Sequence, residues 1–175
     1  MNDTTMSIIA IVLGAILMFI FPLVATADRS DDISQQVLQT EITEFVDNVR
    51  STGKVTEDKY ESLVSSVNGS TGHVIDIQME ASILDESARK KTQQADSTKV
   101  GEGSYIKVFN SQIIDAMEQS ATSTYNLKQG DIFTTTATNK DKTIAQVLKG
   151  AFYKIAGNDT YAIAAKHTGI VNVNG

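Results

Sequence analysis

The stretch that decides the fold lies near the N-terminus and reads Ile8-Ile9-Ala10-Ile11-Val12-Leu13-Gly14-Ala15-Ile16-Leu17-Met18-Phe19-Ile20-Phe21-Pro22-Leu23-Val24. It belongs to a longer run, Thr4 to Ala27, that contains no charged residue. A helix rises about 1.5 Å per residue, so about 20 apolar residues cross the hydrocarbon core of a bilayer. The sequence therefore predicts a membrane-spanning helix over residues 8–27, after a short tail of residues 1–7. The anchor is assigned to Ile8, Ile11, Val12, Ile16, Phe19 and Pro22.

A cleaved signal peptide is the alternative interpretation of this segment, because Ala25-Thr26-Ala27 is a small-x-small triplet. Two features favour retention of the helix. Met1–Ser7 contains no Lys or Arg, and the apolar run exceeds the usual apolar region of a signal peptide. Both interpretations place the rest of the chain outside the cytoplasm, either as a membrane-attached or as a secreted domain. We expect the seven-residue tail to stay inside and the acidic domain to be translocated.

Residues 28–52 predict an amphipathic continuation of the same helix. Apolar residues recur there at helical spacing, and the stripe is assigned to Ile33, Val37, Ile42, Phe45 and Val49. Gly53 after Arg50 is a helix stop signal, so one rod is expected from about Ile8 to Arg50, with a kink at Pro22. Two interpretations of the stripe stay open. It packs on the sheet of the domain, or part of it packs on neighbouring copies of the helix.

Residues 53–175 predict a small α+β head with an antiparallel sheet and packed helices. The clearest strand alternates apolar and polar residues from Ile75 to Ile83. The other expected features are a short helix capped by Thr56, a turn at Asn68–Gly72, a strand with Tyr105, Ile106 and Val108, a helix with Ile113, Ile114 and Met117, a turn at Gln129–Asp131, a strand at Ile132–Thr138, a helix at Thr143–Ile155, and one or two strands in Tyr161–Val173. Asp85–Gly103, with Lys90 and Lys91, is polar and aperiodic, and is a candidate ligand-binding loop.

Composition removes several classes of function. The 15 basic and 21 acidic residues, with a pI near 4.8, exclude nucleic acid as a partner. The chain has no cysteine, and its two histidines, His73 and His167, do not occur in a metal-ligand spacing. No phosphate loop or nucleophile motif is present. We therefore expect no enzymatic activity, no cofactor and no metal.

The combination of an apolar N-terminal helix with Pro22, its amphipathic continuation and a small α+β head resembles type IV pilin-like proteins. More narrowly, the sequence resembles small membrane proteins encoded with tight-adherence (Flp-type) pilus machinery. The stretches that carry the resemblance are Phe21–Asp32, Thr43–Arg50, Gly130-Asp131-Ile132 and Gly157–Tyr161. Type IV pilins have a glycine cleavage site before the apolar run and a glutamate at its fifth position. Here no glycine precedes Ile8 and Asp3 is the only acidic residue nearby, so the resemblance implies a TadE-like minor pseudopilin.

The sequence thus predicts a structural membrane protein of a bacterial pilus or secretion-like surface apparatus. Its expected partners are the membrane, other pilus or assembly subunits, and copies of itself. The alternative is a secreted or membrane-tethered binding module that uses the loop Asp85–Gly103.

Overall fold

A computed structural model describes residues 3–84, 105–153 and 163–173, and every structural statement refers to these ranges. The elements, in chain order, are α1 (Asp3–Thr52), β1 (Lys54–Thr56), α2 (Glu57–Thr71), β2 (Ile75–Leu84), β3 (Tyr105–Phe109), α3 (Asn110–Glu118), β4 (Thr124–Asn126), β5 (Ile132–Asn139), α4 (Ile144–Tyr153) and β6 (Ala164–Ile170). A long N-terminal helix followed by a small antiparallel sheet with helices confirms the predicted α+β class.

Helix α1 has 50 residues, which corresponds to a length of about 75 Å. It extends beyond the predicted rod at both ends and stays helical through Pro22. Proline is tolerated there because it removes one backbone donor while the helix on either side keeps its own bonds. The helix ends at Gly53, whose φ of +65° is a left-handed conformation. A Cβ at Gly53 would lie 2.8 Å from Val173 Cγ2, so glycine is required by both backbone and packing.

The main sheet has four antiparallel strands in the order β3-β2-β5-β6. The buried residues of β2 are Ile75, Ile77, Met79 and Ala81, so the alternation expected from the sequence is confirmed. Two short strands, β1 and β4, form a separate antiparallel pair that the sequence analysis missed. Strands of three residues are too short to show a period-2 pattern.

The core lies between the C-terminal half of α1 and one face of the sheet. Phe45 of α1 packs against Phe133 of β5, with ring centroids 6.0 Å apart. Helix α2 also packs on α1, and the start of α4 contacts it as well. The largest fully buried apolar side chains are Phe133, Leu38, Ile42, Met79, Ile113, Val46, Val49, Val55, Val67 and Val171.

One local prediction was wrong, and a second was confirmed in position. The turn expected at Asn68–Gly72 is the last turn of α2, which ends at Thr71 with Gly72 as a left-handed C-cap. Asn68 stays helical while its side-chain Oδ1 accepts the N–H of Ile75 at 3.0 Å, so it joins α2 to β2. Thr56 occupies the predicted N-cap position of α2, although its side chain makes no capping hydrogen bond. The N–H of Glu57 is satisfied instead by the carbonyl of Ser123, at 3.1 Å.

A buried carboxylate organises the turn before β5. Asp131 was expected only as a turn residue, yet its side chain is buried. Its Oδ1 accepts the N–H of Leu84 at 2.9 Å, and its Oδ2 accepts the N–H of Lys128 at 2.8 Å. Hydrogen bonds to backbone donors offset the cost of burying an ionised group. Asp131 therefore has a structural function.

Candidate membrane anchor and helix–head junction

The anchor residues assigned from the sequence all lie on the N-terminal half of α1 and are all exposed. Ile11 and Phe19 have 70% and 72% of their surface accessible. The other four, Ile8, Val12, Ile16 and Pro22, are exposed as well. α1 is long and apolar enough to cross a membrane, and none of its most apolar 18-residue window is buried inside the head. The head therefore does not cover this surface.

One face of the apolar half is shielded. Between Asp3 and Ala27, the partly buried residues are Ile20, Val24 and Ala27. At about 100° per residue these three positions lie on one side of the helix. Asp28 and Asp31 are also partly buried and extend the same side toward the head. Ser34, Leu38 and the buried residues beyond them continue it, so the face that packs on the head extends into the apolar segment.

Only some residues of the predicted packing stripe are buried in the structure. Ile42, Phe45 and Val49 are buried in the core, and Val37 is partly buried. Ile33 is 54% exposed and lies on the opposite side of the helix from the buried face. Ser34 takes the buried position that periodicity assigned to Ile33. The prediction chose Ile33 because it is apolar. Residue 34, however, lies at the angle around the helix that faces the head, so its side chain is the buried one.

Side chains of α1 also cover the outer edge of the sheet. β6 is an edge strand. The Gln35 side-chain amide bonds both backbone groups of Ala164: its Nε2 donates to the carbonyl, and its Oε1 accepts the N–H at 2.9 Å. At the other end of β6, Arg50 Nε donates to the carbonyl of Ile170 at 3.1 Å. These bonds satisfy edge groups that would otherwise offer a pairing site to another strand.

Close packing at Gly169 accompanies the Arg50 contact. A Cβ added at Gly169 would clash with Arg50 Cδ, so only glycine leaves room for the arginine. Arg50 Nη1 also pairs with Asp47 Oδ1 at 2.9 Å, and His167 Nε2 lies 3.8 Å from the same oxygen. Asn172 donates its N–H to the carbonyl of Arg50 at 3.0 Å. The last turn of α1 is thus fixed to the end of β6.

A third contact fixes the start of α4 to α1. Thr143 Oγ1 donates to Asp31 Oδ2 at 2.6 Å and accepts the N–H of Gln146 at 3.1 Å. Gln146 Oε1 accepts the N–H of Thr143 at 3.0 Å, which completes a capping box. The helix predicted from Thr143 therefore begins one residue later, with Thr143 as its buried N-cap. Residues 154 and 155, included in that prediction, lie outside the described residues.

No group of three or more His, Asp or Glu side chains in the described part of the chain is arranged to hold a metal ion. Burial, together with the nearby Asp76 carboxylate, raises the pKa of Tyr60, and burial beside Asp131 raises that of Tyr125. Both shifts keep a phenol neutral. The candidate loop Asp85–Gly103, with Lys90 and Lys91, lies outside the described residues.

The sequence analysis found the anchor but missed the residues that attach the head to it. Asp31, Gln35 and Thr143 are polar residues without a motif. The pairs Asp31–Thr143 and Gln35–Ala164 are separated by 112 and 129 residues in the chain. Comparisons of this chain with family models, with curated proteins and with solved structures found no match.

Proposed function

We propose that this chain is a membrane-anchored structural protein whose head is held outside the cytoplasm and which acts by packing against other subunits. The proposal rests on the observation that the two halves of α1 have different surroundings. The C-terminal half forms part of the head core, and the apolar N-terminal half is exposed except for the partly buried Ile20, Val24 and Ala27. Burying a large apolar side chain is worth about 1.5–3 kcal/mol, so a surface of this size requires lipid or protein around it.

The junction contacts support a mechanical role. Gln35, Arg50 and Asp31 attach α1 to β6 and α4 at points spread along the helix. The stem and the head therefore move as one body, and the position of the anchor sets the position of the head. A protein that works by assembly needs this coupling, whereas a flexibly tethered binding module does not.

We further propose that the assembly is a bacterial pilus or secretion-like surface apparatus, in which this chain is a minor, pilin-like subunit. The sequence resemblance to type IV pilin-like and tight-adherence proteins supports this, and so does the continuity of the apolar stem with the head. Neighbouring stems would pack through the exposed side of the apolar segment. That side includes Ile8, Ile11, Val12, Ile16 and Phe19.

The absence of native cysteine makes the topology directly testable. Ser65 is an exposed residue of α2, and Thr5 lies at the other end of α1. A membrane-impermeant maleimide should label Ser65→Cys in intact cells and Thr5→Cys only after permeabilisation. Labelling of Thr5→Cys alone in intact cells would reverse the orientation and overturn the proposal of an external head.

Assembly requires a separate experiment on the full chain in the membrane. Single-cysteine variants at Ile8, Val12 and Phe19, on the exposed side of the apolar segment, should form disulfide-linked dimers under mild oxidation, whereas Ser65→Cys should not. Sheared surface filaments should contain the protein with its apolar segment intact. A monomer at every position, or a chain released into the medium after cleavage behind Ala27, would favour the secreted binding module instead.

A further inference from the structure

Helix α4 carries two large apolar side chains that are exposed and not packed in the core of the head. Ile144 is 66% exposed and Val147 is 57% exposed. They are three residues apart, so they share one face of α4, while Ala145 is buried. Across the whole of α4, the sequence Ile144–Tyr153 contains a single charged residue, Lys149. Exposed apolar side chains grouped on one face of a helix mark a candidate surface for a partner.

The position of α4 along α1 identifies that partner. The hydrogen bond between Thr143 and Asp31 fixes the start of α4 four residues beyond Ala27, the last residue of the uncharged run. Four residues correspond to about 6 Å along a helix, which is close to the thickness of the headgroup layer on one side of a bilayer. If α1 spans the membrane, the first turn of α4 therefore lies at the membrane surface.

The surroundings of α1 differ on the two sides of Asp31. On the side away from the apolar segment, Gln35 is already engaged by Ala164 at the start of β6. On the other side, the shielded face continues from Asp31 through Val24 to Ile20. The start of α4 therefore lies on the partly buried face of α1, next to the end of the apolar segment.

We propose that α4 is a second membrane-contacting element, which lies against α1 at the lipid headgroup level and buries Ile144 and Val147 in the outer leaflet. This inference rests on the proposed membrane anchor. The charges nearby are of both signs, with Arg29, Lys142 and Lys149 against Asp28, Asp31, Asp32 and Asp141, so we expect the contact to depend on the apolar side chains. Anionic lipid is therefore not required, in contrast to basic interfacial helices. The contact gives the head a second attachment to the membrane and fixes its rotation about α1.

The test uses the full-length chain in phosphatidylcholine vesicles, with an environment-sensitive fluorophore on a single cysteine. Ile144→Cys and Val147→Cys report on α4, Met18→Cys reports on the anchor, and Ser65→Cys is the exposed head control. We expect nitroxide lipids to quench the probes at 144 and 147 at least about twofold more than the probe at 65, as interfacial burial requires. Replacing half of the lipid with phosphatidylglycerol should leave this ratio unchanged.

Each failure has a distinct signature. Quenching at 18 but not at 144 or 147 would leave the anchor in place and overturn the α4 contact. Quenching at none of the three would overturn the anchor itself. A blue shift at 144 that depends on the ratio of protein to lipid, without quenching, would assign the face to a second copy. Quenching that appears only with phosphatidylglycerol would contradict the apolar contact. Because the substituted residues are exposed, circular dichroism of each variant should match that of the parent chain.

Discussion

The two halves of α1 belong to one continuous helix, yet they use their apolar residues in opposite ways. Residues 28–52 are amphipathic, with one buried face on the head and, apart from Ile33, polar residues on the exposed side. Residues 3–27 are apolar all around, and most of their side chains are exposed. An amphipathic helix fits the boundary between a core and water, whereas a uniformly apolar helix fits lipid or a helical assembly. The comparison indicates that the core of the head is built with residues 28–52 of α1 and does not need residues 3–27.

The largest effect should come from a matched pair of isoleucines, one in each half. Ile42→Ala removes a fully buried side chain and should lower the free energy of unfolding of the head by about 2–5 kcal/mol. Ile16→Ala removes an exposed side chain of the apolar half and should leave the stability of the head unchanged. Thermal unfolding followed by circular dichroism in detergent measures both. Equal losses in the two variants would contradict the division of α1 into a core half and an uncovered half.

A charge in the apolar half should impair membrane insertion and leave the stability of the head unchanged. Leu17→Arg places a cation near the middle of the uncharged run, at a cost to membrane insertion of about 2.5–3.5 kcal/mol. The full-length variant should shift from the membrane pellet to the soluble or aggregated fraction, with the head still folded. Thr40→Arg, on the exposed polar side of the other half, is the control and should stay in the membrane. Unchanged membrane retention of Leu17→Arg would argue that the segment does not lie in lipid.

A smaller effect is expected where α1 covers the end of β6. Gly169→Ala places a methyl group on Arg50 and should destabilise the head by about 1–3 kcal/mol. Arg50→Ala combined with Gly169→Ala should recover part of this loss, because the clash is removed together with the arginine side chain. The double-mutant cycle measures the coupling between the two residues. If the stability losses of the two single variants simply add up in the double variant, Arg50 does not lie over Gly169.

The smallest effect is expected on the face of the sheet away from α1, where surface charges contribute little. A hydrogen bond from Gln78 and a pairing with Lys140 lower the pKa of Asp76 below its ordinary value of 3.8. A lowered pKa contributes stability above the unfolded-state value, and this stability is lost as the pH falls through the folded-state value. Asp76→Asn should therefore lower stability at neutral pH by at most about 0.5 kcal/mol, and the difference should shrink as the pH falls below the ordinary pKa of 3.8.

Chemical denaturation of the parent chain and Asp76→Asn at pH 7, 4 and 2.5 would measure this difference. A gap that widens toward low pH would have the wrong sign for a carboxylate with a lowered pKa. An effect at neutral pH as large as that of Ile42→Ala would contradict the view that the α1 core, and not surface pairing, holds the head.

Particular residues show how far the sequence could be interpreted. The strand from Ile75, the helix stop at Gly53 and the core positions Ile42, Phe45 and Val49 were predictable because each follows from a local period or a local backbone requirement. Ile33 was misplaced because a stripe drawn from apolar residues alone ignores the exact angular position of the buried face. The short pair β1–β4 gave no periodic signal at all.

The sequence by itself determined the apolar segment, its continuation as a helix and the α+β class of the head, because these depend on composition and on periods of a few residues. Only the tertiary structure decided which face of α1 meets the head. It also decided that Gln35 and Arg50 cover the edge of β6, and that Thr143 caps α4 while bonding Asp31. Each of these contacts joins residues that are more than 100 positions apart. The physical reason is that a hydrogen-bond partner is set by geometry in space, and no local pattern of side chains encodes it.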